Sequence, residues 1–168
     1  LKKAGLKASM ITSVQAVIAG QTYDTGFHVT TPSAWWVQKY LREAVRHGDT
    51  HMVLEVTSHA LSQYRVLGVQ FAVGVITNVT HEHLDWHRTF ENYLTTKLIL
   101  LRQADIAVIN RDEGDVYTAA MRFLPSKRYI AYGIRRDSIV NPKTHPFRSR
   151  LPGEFNRYNT LASLAVSE

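Results

Sequence analysis

Residues 71–110 read FAVGVITNVTHEHLDWHRTFENYLTTKLILLRQADIAVIN, and this stretch decides the fold class. It begins and ends with short runs rich in Val and Ile, 71–77 and 105–110, which predict two buried strands. The segment 90–103 between them is compatible with a helix. A strand, a helix and another strand in succession are typical of a parallel sheet with helices on its faces. We therefore predict an α/β protein.

The same alternation extends on both sides of this stretch. Residues 34–47 show helical spacing of apolar side chains, 51–56 indicate a buried strand, and 58–66 are compatible with a helix. From 125 to 155, Pro and Gly residues break the pattern, which predicts irregular chain or a small β segment, followed by a helix from about Asn156. The predicted fold is thus a mostly parallel sheet flanked by helices.

The composition is that of an ordinary globular protein, and it excludes several kinds of site. The 168 residues suffice for one domain with its own core, and 45% of them are hydrophobic. The chain has no cysteine, which excludes a disulfide scaffold, a thiolate metal site and a cysteine nucleophile. No apolar run is long enough to span a bilayer and no signal-peptide core is present, so we expect a cytoplasmic protein without a membrane partner.

The net charge of +6 is unevenly distributed. Residues 51–121 hold five Lys and Arg against eight Asp and Glu, whereas residues 122–157 hold nine against two. Such a basic stretch either attracts nucleotides, nucleic acid or other anions, or simply forms a solvated surface. No zinc-knuckle, RNP-type or helix-turn-helix signal accompanies it, so a nucleic-acid partner is not expected.

Polar residues that follow the predicted strands are the first candidates for a site, because parallel sheets bind ligands beyond the carboxyl ends of their strands. Glu55 lies at the end of the predicted strand 51–56, where its carboxylate can offer Mg²⁺ an oxygen ligand, and Thr57, just after the strand, has the alternative role of a helix cap. His81, His83 and His87 follow the next strand and suggest zinc, but the HExxH order is absent. A single histidine that joins a carboxylate around Mg²⁺ fits better, and a loop whose histidines cap helices remains the alternative.

Other candidates also have a structural alternative. Lys97 lies in the apolar run LTTKLILL, where it is either an inward-facing amine available for chemistry or a lysine whose stem alone is buried. Thr30 and Thr31 precede a helix in the segment TTPS, which either serves only to start that helix, with Ser33 as N-cap or Pro32 near the first position, or lets the paired threonine hydroxyls bind a phosphate or sugar. Asn156 is a helix cap or, like Asn159, a partner for the edge of an adenine ring.

Six segments resemble the Mur ligases, in the order and approximate spacing found in that family. They are TTPSAWWVQ, EVTSHALSQYR, TNVTHEHLDWH, ENYLTTK, VINRDE and LPGEFNRYN. The resemblance extends over essentially the whole chain. The segment EVTSHALSQYR favours the MurE branch, whose members add the third peptide residue to UDP-N-acetylmuramoyl-L-alanyl-D-glutamate. The resemblance implies the central, ATP-binding domain of these enzymes, with a fold like that of the P-loop NTPases.

The resemblance also assigns roles to particular residues. The UDP-muramoyl substrate would be bound by Thr30, Thr31, Thr57, Gln63 and Arg65. Glu55 and His83 would hold Mg²⁺ as catalytic residues, together with Lys97, which would be carbamylated and so carry a carboxylate-like anion. ATP would be contacted by Asn78 near the phosphates and by Asn156 and Asn159 at the adenine or its ribose.

The chemistry that the resemblance implies is amide-bond formation. ATP would phosphorylate the D-glutamyl carboxylate to an acyl-phosphate, which the amine of the incoming amino acid would then attack. The departures from the family pattern are Glu82 for Asp, Arg88 for Gly, Thr57 for Ser and Glu113 for Asp. Two alternatives are a degenerate domain that binds a UDP-sugar or a partner without chemistry, and a ligase of the folylpolyglutamate or cyanophycin type.

Residues 1–168 contain no GxxxxGK[ST] loop, the element that usually wraps a triphosphate. Judged by the resemblance, this stretch is a central domain truncated at both ends, without the P-loop and without the C-terminal domain. We therefore expect it to be inactive by itself, and to be monomeric like members of the family. The third amino acid is not specified by these residues.

Overall fold

Two units make up the chain, Leu1–Val69 and Gln70–Glu168, in a computed structural model that describes residues 1–24, 31–80 and 84–168. The strands are β1 (Ala8–Ile11), β2 (Gln15–Ile18), β3 (Gln21–Asp24), β4 (His51–Leu54), β5 (Phe71–Ile76), β6 (Ala104–Asn110) and β7 (Tyr129–Tyr132). The helices are α1 (Ala34–Arg46), α2 (Ser58–Ser62), α3 (Leu84–His87), α4 (Phe90–Gln103), α5 (Gly114–Phe123) and α6 (Glu154–Val166). None of the helices in these ranges is both long and apolar enough to cross a membrane.

The first unit is a four-stranded sheet in the order β3-β2-β1-β4. The first three strands pair antiparallel, whereas β4 pairs with β1 in parallel, with Ile11 opposite Leu54. Helix α1 buries Val37, Tyr40 and Ala44, which recur at the spacing of one helix face. Tyr40 and Ala44 pack in one cluster with apolar residues of β1 and β2, so α1 covers the sheet.

The second unit is a three-stranded parallel sheet in the order β5-β6-β7. Its central strand is apolar on both faces. Ala107 and Ile109 pack with residues of α4 and α5, whereas Val108 packs with Leu161 and other residues of α6. Helices therefore cover both faces of a parallel sheet, and the predicted α/β class is confirmed.

Four parts of the structure differ from the sequence-based expectation. The helix predicted over 58–66 ends at Ser62, since Tyr64 adopts a left-handed backbone conformation (φ 55°) that a helix cannot contain. Helix α5 was not predicted. Strand β7 lies in the segment expected to be irregular or a small β piece, and it extends the parallel sheet by pairing with β6. The antiparallel strands β1 to β3 were not predicted either.

The Asp112 carboxylate ties the end of β6 to distant parts of the second unit. It accepts backbone N–H groups from Ile134 and Arg135 at 2.7 and 2.9 Å and from Arg136 at 2.8 Å, and the Tyr158 hydroxyl at 2.8 Å. Burial raises the pKa of this carboxyl, but the four donors outweigh burial and hold the pKa below its ordinary value. Burial and the bond to Asp112 raise the pKa of Tyr158 to about 12.

Gly74 in β5 lies where the sheet meets the end of α4. A β-carbon added there would come within 3.0 Å of the Ala104 Cβ and 3.2 Å of the Leu100 carbonyl oxygen, neither of which can move freely. We expect Gly74→Ala to lower the free energy of unfolding by about 1–3 kcal/mol, measured by urea denaturation. Gly114→Ala is the matched control. Its β-carbon would meet only the guanidinium of Arg136, which can move, so a loss as large as that of Gly74→Ala would contradict this explanation.

Asp112→Asn should lower the free energy of unfolding by about 2 kcal/mol at pH 7, because the amide replaces a charged acceptor of four hydrogen bonds. Folding lowers the pKa of Asp112. Its ionised carboxylate therefore adds to the free energy of unfolding above pH 3.8, the ordinary pKa, and this stabilisation is lost as the pH falls below that value. The difference between wild type and variant should therefore shrink toward pH 3. Asp105→Asn, at an exposed position of β6, is the control, and a difference independent of pH would contradict the assignment.

Candidate functional site

The end of β4 carries the first candidate residue, Glu55. Its backbone N–H donates to the Ile11 carbonyl at 2.9 Å, which continues the parallel pairing of β4 with β1 by one residue. Its exposed side chain accepts the Ser13 N–H at 2.7 Å, in the turn after β1. The carboxylate thus lies beyond the carboxyl ends of the only parallel strand pair found in the described part of the first unit, where such sheets bind ligands.

Thr31 joins the turn after β4 to the segment before α1. Its side chain is fully buried, donates to the Glu55 carbonyl at 2.9 Å and accepts the Thr57 N–H at 3.2 Å. The Thr57 hydroxyl in turn accepts the Ala60 N–H at 3.1 Å and caps α2. The predicted capping role of Thr57 is therefore confirmed, and the Thr31 hydroxyl has a structural role between two backbone segments.

Arg65 and Gln63 complete this cluster after α2. The Arg65 Nη1 donates to the Thr31 carbonyl at 2.6 Å, while its Nε and Nη2 both donate to the Gln63 Oε1, at 2.8 and 2.6 Å. The guanidinium is thereby held in one orientation at the surface. Four of the predicted substrate-binding residues, Thr31, Thr57, Gln63 and Arg65, thus lie in one hydrogen-bonded cluster beside the backbone of Glu55. Thr30, the fifth, lies outside the described residues.

In the second unit, Asn78 follows β5 and is exposed, and its Oδ1 accepts the Thr77 hydroxyl at 3.1 Å. The carbonyl of Thr77 accepts the Asn110 side-chain amide and the Tyr132 hydroxyl, each at 3.3 Å. The backbone just before Asn78 is therefore held from β6 and from β7, and this side chain stands at the carboxyl end of the parallel sheet.

Lys97 is half-buried on α4, and its ammonium lies 5.0 Å from the centre of the Tyr93 ring, one turn earlier. It is neither a fully exposed lysine nor one enclosed in the core. His83 lies outside the described residues, as does His81, and Glu55 belongs to the other unit. Glu55 and Lys97 are therefore each described only within their own unit, and the convergence of the three proposed ligands stays a prediction.

His87, the last of the three histidines, does not face solvent. It is 7% exposed, and its ring lies 5.3 Å from the Tyr93 ring. Within 1–24, 31–80 and 84–168, no three His, Asp or Glu side chains lie close enough to share a metal ion.

Helix α6 begins at Glu154, with Gly153 before it in a conformation (φ 95°) that favours glycine. Asn156 therefore lies in the first turn, where its Nδ2 donates back to the Pro152 carbonyl at 2.7 Å. The prediction that Asn156 caps the helix is wrong, because the helix starts two residues earlier. Asn159 is exposed one turn further along.

Asn110 and Asp112 belong to the VINRDE segment singled out in the sequence, but sequence reasoning gave neither residue a role in organising this region. Asn110 is 3% exposed, and its Oδ1 accepts the Asp112 N–H at 3.0 Å, an Asx-type turn directly after a buried strand. The Asn-x-Asp spacing was a usable signal for that turn. The partners of Asp112 lie 22 to 46 residues away, and no local pattern indicates them.

Comparison with known proteins gives consistent matches over the whole chain. The family model described as the Mur ligase middle domain matches residues 3–167. A UDP-N-acetylmuramoyl-L-alanyl-D-glutamate--2,6-diaminopimelate ligase of Clostridium botulinum is 32% identical over 184 residues, which cover 99% of this chain and 37% of that protein. The ligase of the same name from Synechocystis is 37% identical over 157 residues, which cover 81% of this chain and 31% of that protein.

A solved structure of a ligase of this name has the same fold. It superimposes with a TM-score of 0.81 at 22% identity over 99% of this chain and 38% of that one. The chain spans little more than a third of the length of the relatives it matches. On the family match and the identities of these relatives, the chain belongs to the Mur ligase family and carries its middle domain.

Proposed function

We propose that this chain is part of an ATP-dependent ligase that adds the third residue to the peptide of UDP-N-acetylmuramoyl-L-alanyl-D-glutamate. The observation that carries the proposal is the cluster of Thr31, Thr57, Gln63 and Arg65, bonded together beside Glu55. The names of the relatives, which are ligases of this substrate and 2,6-diaminopimelate, support it. Nucleotide-linked precursors and ATP are used in the cytoplasm, so we place the reaction there.

Within this site Arg65 binds an anionic group of the UDP-muramoyl-dipeptide. Its guanidinium is already oriented by Gln63 and by the Thr31 carbonyl, so little conformational entropy is lost when it takes a further acceptor. Thr30, Thr31 and Thr57 belong to the binding site for the same substrate. Because the hydroxyls of Thr31 and Thr57 are used inside the protein, their part is to shape the backbone that faces it.

Glu55, His83 and a carbamylated Lys97 are the residues that would hold Mg²⁺. Glu55 fits this role, since an exposed carboxylate beyond a strand end offers the oxygen ligand that a hard cation prefers. When bound, Mg²⁺ neutralises charge on the phosphates of ATP. The protein's own part is to orient the D-glutamyl carboxylate toward the γ-phosphoryl group, with Asn78 near the phosphates and Asn156 and Asn159 at the adenosine.

Transfer of the γ-phosphoryl group from ATP to the D-glutamyl carboxylate would give an acyl-phosphate and release ADP. The amine of the incoming amino acid would then attack the acyl carbon, which releases phosphate and leaves the amide. Positioning is the main contribution expected of the described residues, because two reactants held in line no longer have to meet by diffusion. A positioning role agrees with the cluster around Arg65, in which hydrogen bonds to Thr31 and Gln63 hold the guanidinium in one orientation.

Arg65→Ala should weaken binding of UDP-N-acetylmuramoyl-L-alanyl-D-glutamate to this chain at least about tenfold, because it removes a charged donor held in place. Isothermal titration calorimetry measures the affinity, and thermal unfolding checks that the variant is folded. Arg65→Lys keeps the charge without the fork and should recover only part of the affinity. Arg42→Ala, at an exposed position of α1, is the control. Equal affinities for the Arg65 and Arg42 variants would contradict the assignment.

Carbamylation of Lys97 has its own spectroscopic test. In ¹³C-labelled bicarbonate, wild type should show a carbamate carbon resonance that Lys97→Arg abolishes, since a guanidinium does not form the adduct. Lys127→Arg, at another half-buried lysine, should keep the resonance. A resonance that persists in Lys97→Arg, or is missing in wild type, would contradict the proposed ligand.

A further inference from the structure

The turn after β6 connects the two segments to which we assign the nucleotide. On one side, the Asn110 amide holds the Thr77 carbonyl at 3.3 Å, directly before Asn78. On the other side, the Asp112 carboxylate receives the Tyr158 hydroxyl at 2.8 Å, directly before Asn159. Since Asn110 also accepts the Asp112 N–H, these contacts form one continuous hydrogen-bonded path from the end of β5 to α6.

The position of Tyr158 on α6 determines how its hydrogen bond to Asp112 affects the orientation of the helix. Successive residues of a helix are rotated by about 100°, so Tyr158 lies near the side of Leu161 and Ala165, which are buried against the sheet. By the same rotation, Asn156 and Asn159 project from the other side of the helix. A bond that fixes Tyr158 therefore fixes the rotation of α6 about its axis, and with it the direction of both asparagines.

A second contact joins the same parts of the structure but is weaker. Arg135 Nη2 lies 2.8 Å from Glu154 Oε1 in the first turn of α6, and both side chains are more than half exposed. Ion pairs at such positions contribute little because solvent screens them. The Asp112–Tyr158 bond is less exposed, and its acceptor carboxylate is held by three backbone N–H groups, so it is the contact that can set an orientation.

We propose that Asp112 is a positioning residue for nucleotide binding: through Tyr158 it sets the rotation of α6, and so the direction of Asn156 and Asn159 relative to Asn78. This inference rests on the proposed function, which assigns ATP to these asparagines. Asp112 does not touch the nucleotide and acts through α6. Removing its bond to Tyr158 therefore weakens nucleotide binding without removing any nucleotide contact.

Tyr158→Phe is the variant that tests this role. It removes one hydroxyl and leaves the three backbone donors of Asp112 in place, so the loop 134–136 stays bonded. Tyr117→Phe is the matched control, because it removes a hydroxyl of the same unit that donates to Tyr129 at 3.3 Å. Titration of each ¹⁵N-labelled chain with ATP and Mg²⁺, followed by NMR at the side-chain amides of Asn156 and Asn159, gives the affinities.

We expect Tyr158→Phe to bind ATP about five- to tenfold more weakly than wild type, and Tyr117→Phe to bind like wild type. Faster amide hydrogen exchange over 155–160 in Tyr158→Phe, at unchanged exchange in β6, should accompany the loss. Equal affinities for the two variants would overturn the positioning role and leave the nucleotide assignment standing. If ATP at millimolar concentration does not shift these amides in wild type, the nucleotide assignment fails and the inference fails with it.

Discussion

The pairing of β6 between β5 and β7 is the constraint on which the second unit depends. A central strand of a parallel sheet is buried on both faces, so its residues must be apolar in succession, as Ala107, Val108 and Ile109 are. The apolar run stops at the carboxyl end of β6, where Asn110 and Asp112 follow in place of apolar side chains. The same strand that builds the core thus delivers the polar groups that organise the surface above it.

The parallel unit could be predicted from sequence because its signal is local. Runs of Val and Ile on either side of a helical stretch indicate strand, helix and strand wherever they occur. Among the antiparallel strands, β3 (QTYD) lacks such a signal, since it is mostly exposed and its pairing with β2 depends on tertiary contacts. Strands β1 and β2 are four residues long, and no helical stretch separates them. Helix α5 follows a turn set by Asn110 and Asp112 rather than by a recognisable cap.

The candidate site shows the same division between local and distant information. The resemblance of short segments to the Mur ligases named Thr31, Thr57, Gln63 and Arg65, and the structure places them in one cluster. The resemblance did not indicate that Thr31 is fully buried or that its hydroxyl bonds to the backbone. These features depend on how two segments 24 residues apart in the sequence meet in the fold. Short sequence segments can therefore identify the residues of a site, whereas the hydrogen-bond partners of those residues depend on how the whole chain folds.

The separation in sequence between Asp112 and its donors has a consequence for how the unit forms. The bonds to Ile134 and Tyr158 close chain segments of 22 and 46 residues, and closing such segments reduces the entropy of the chain before any contact is gained. The pairings within the sheet must precede them, because they bring the end of β6 beside the 134–136 loop. We therefore expect α6 to dock late in folding and to detach first during partial unfolding, so that one face of the parallel sheet is exposed while the sheet persists.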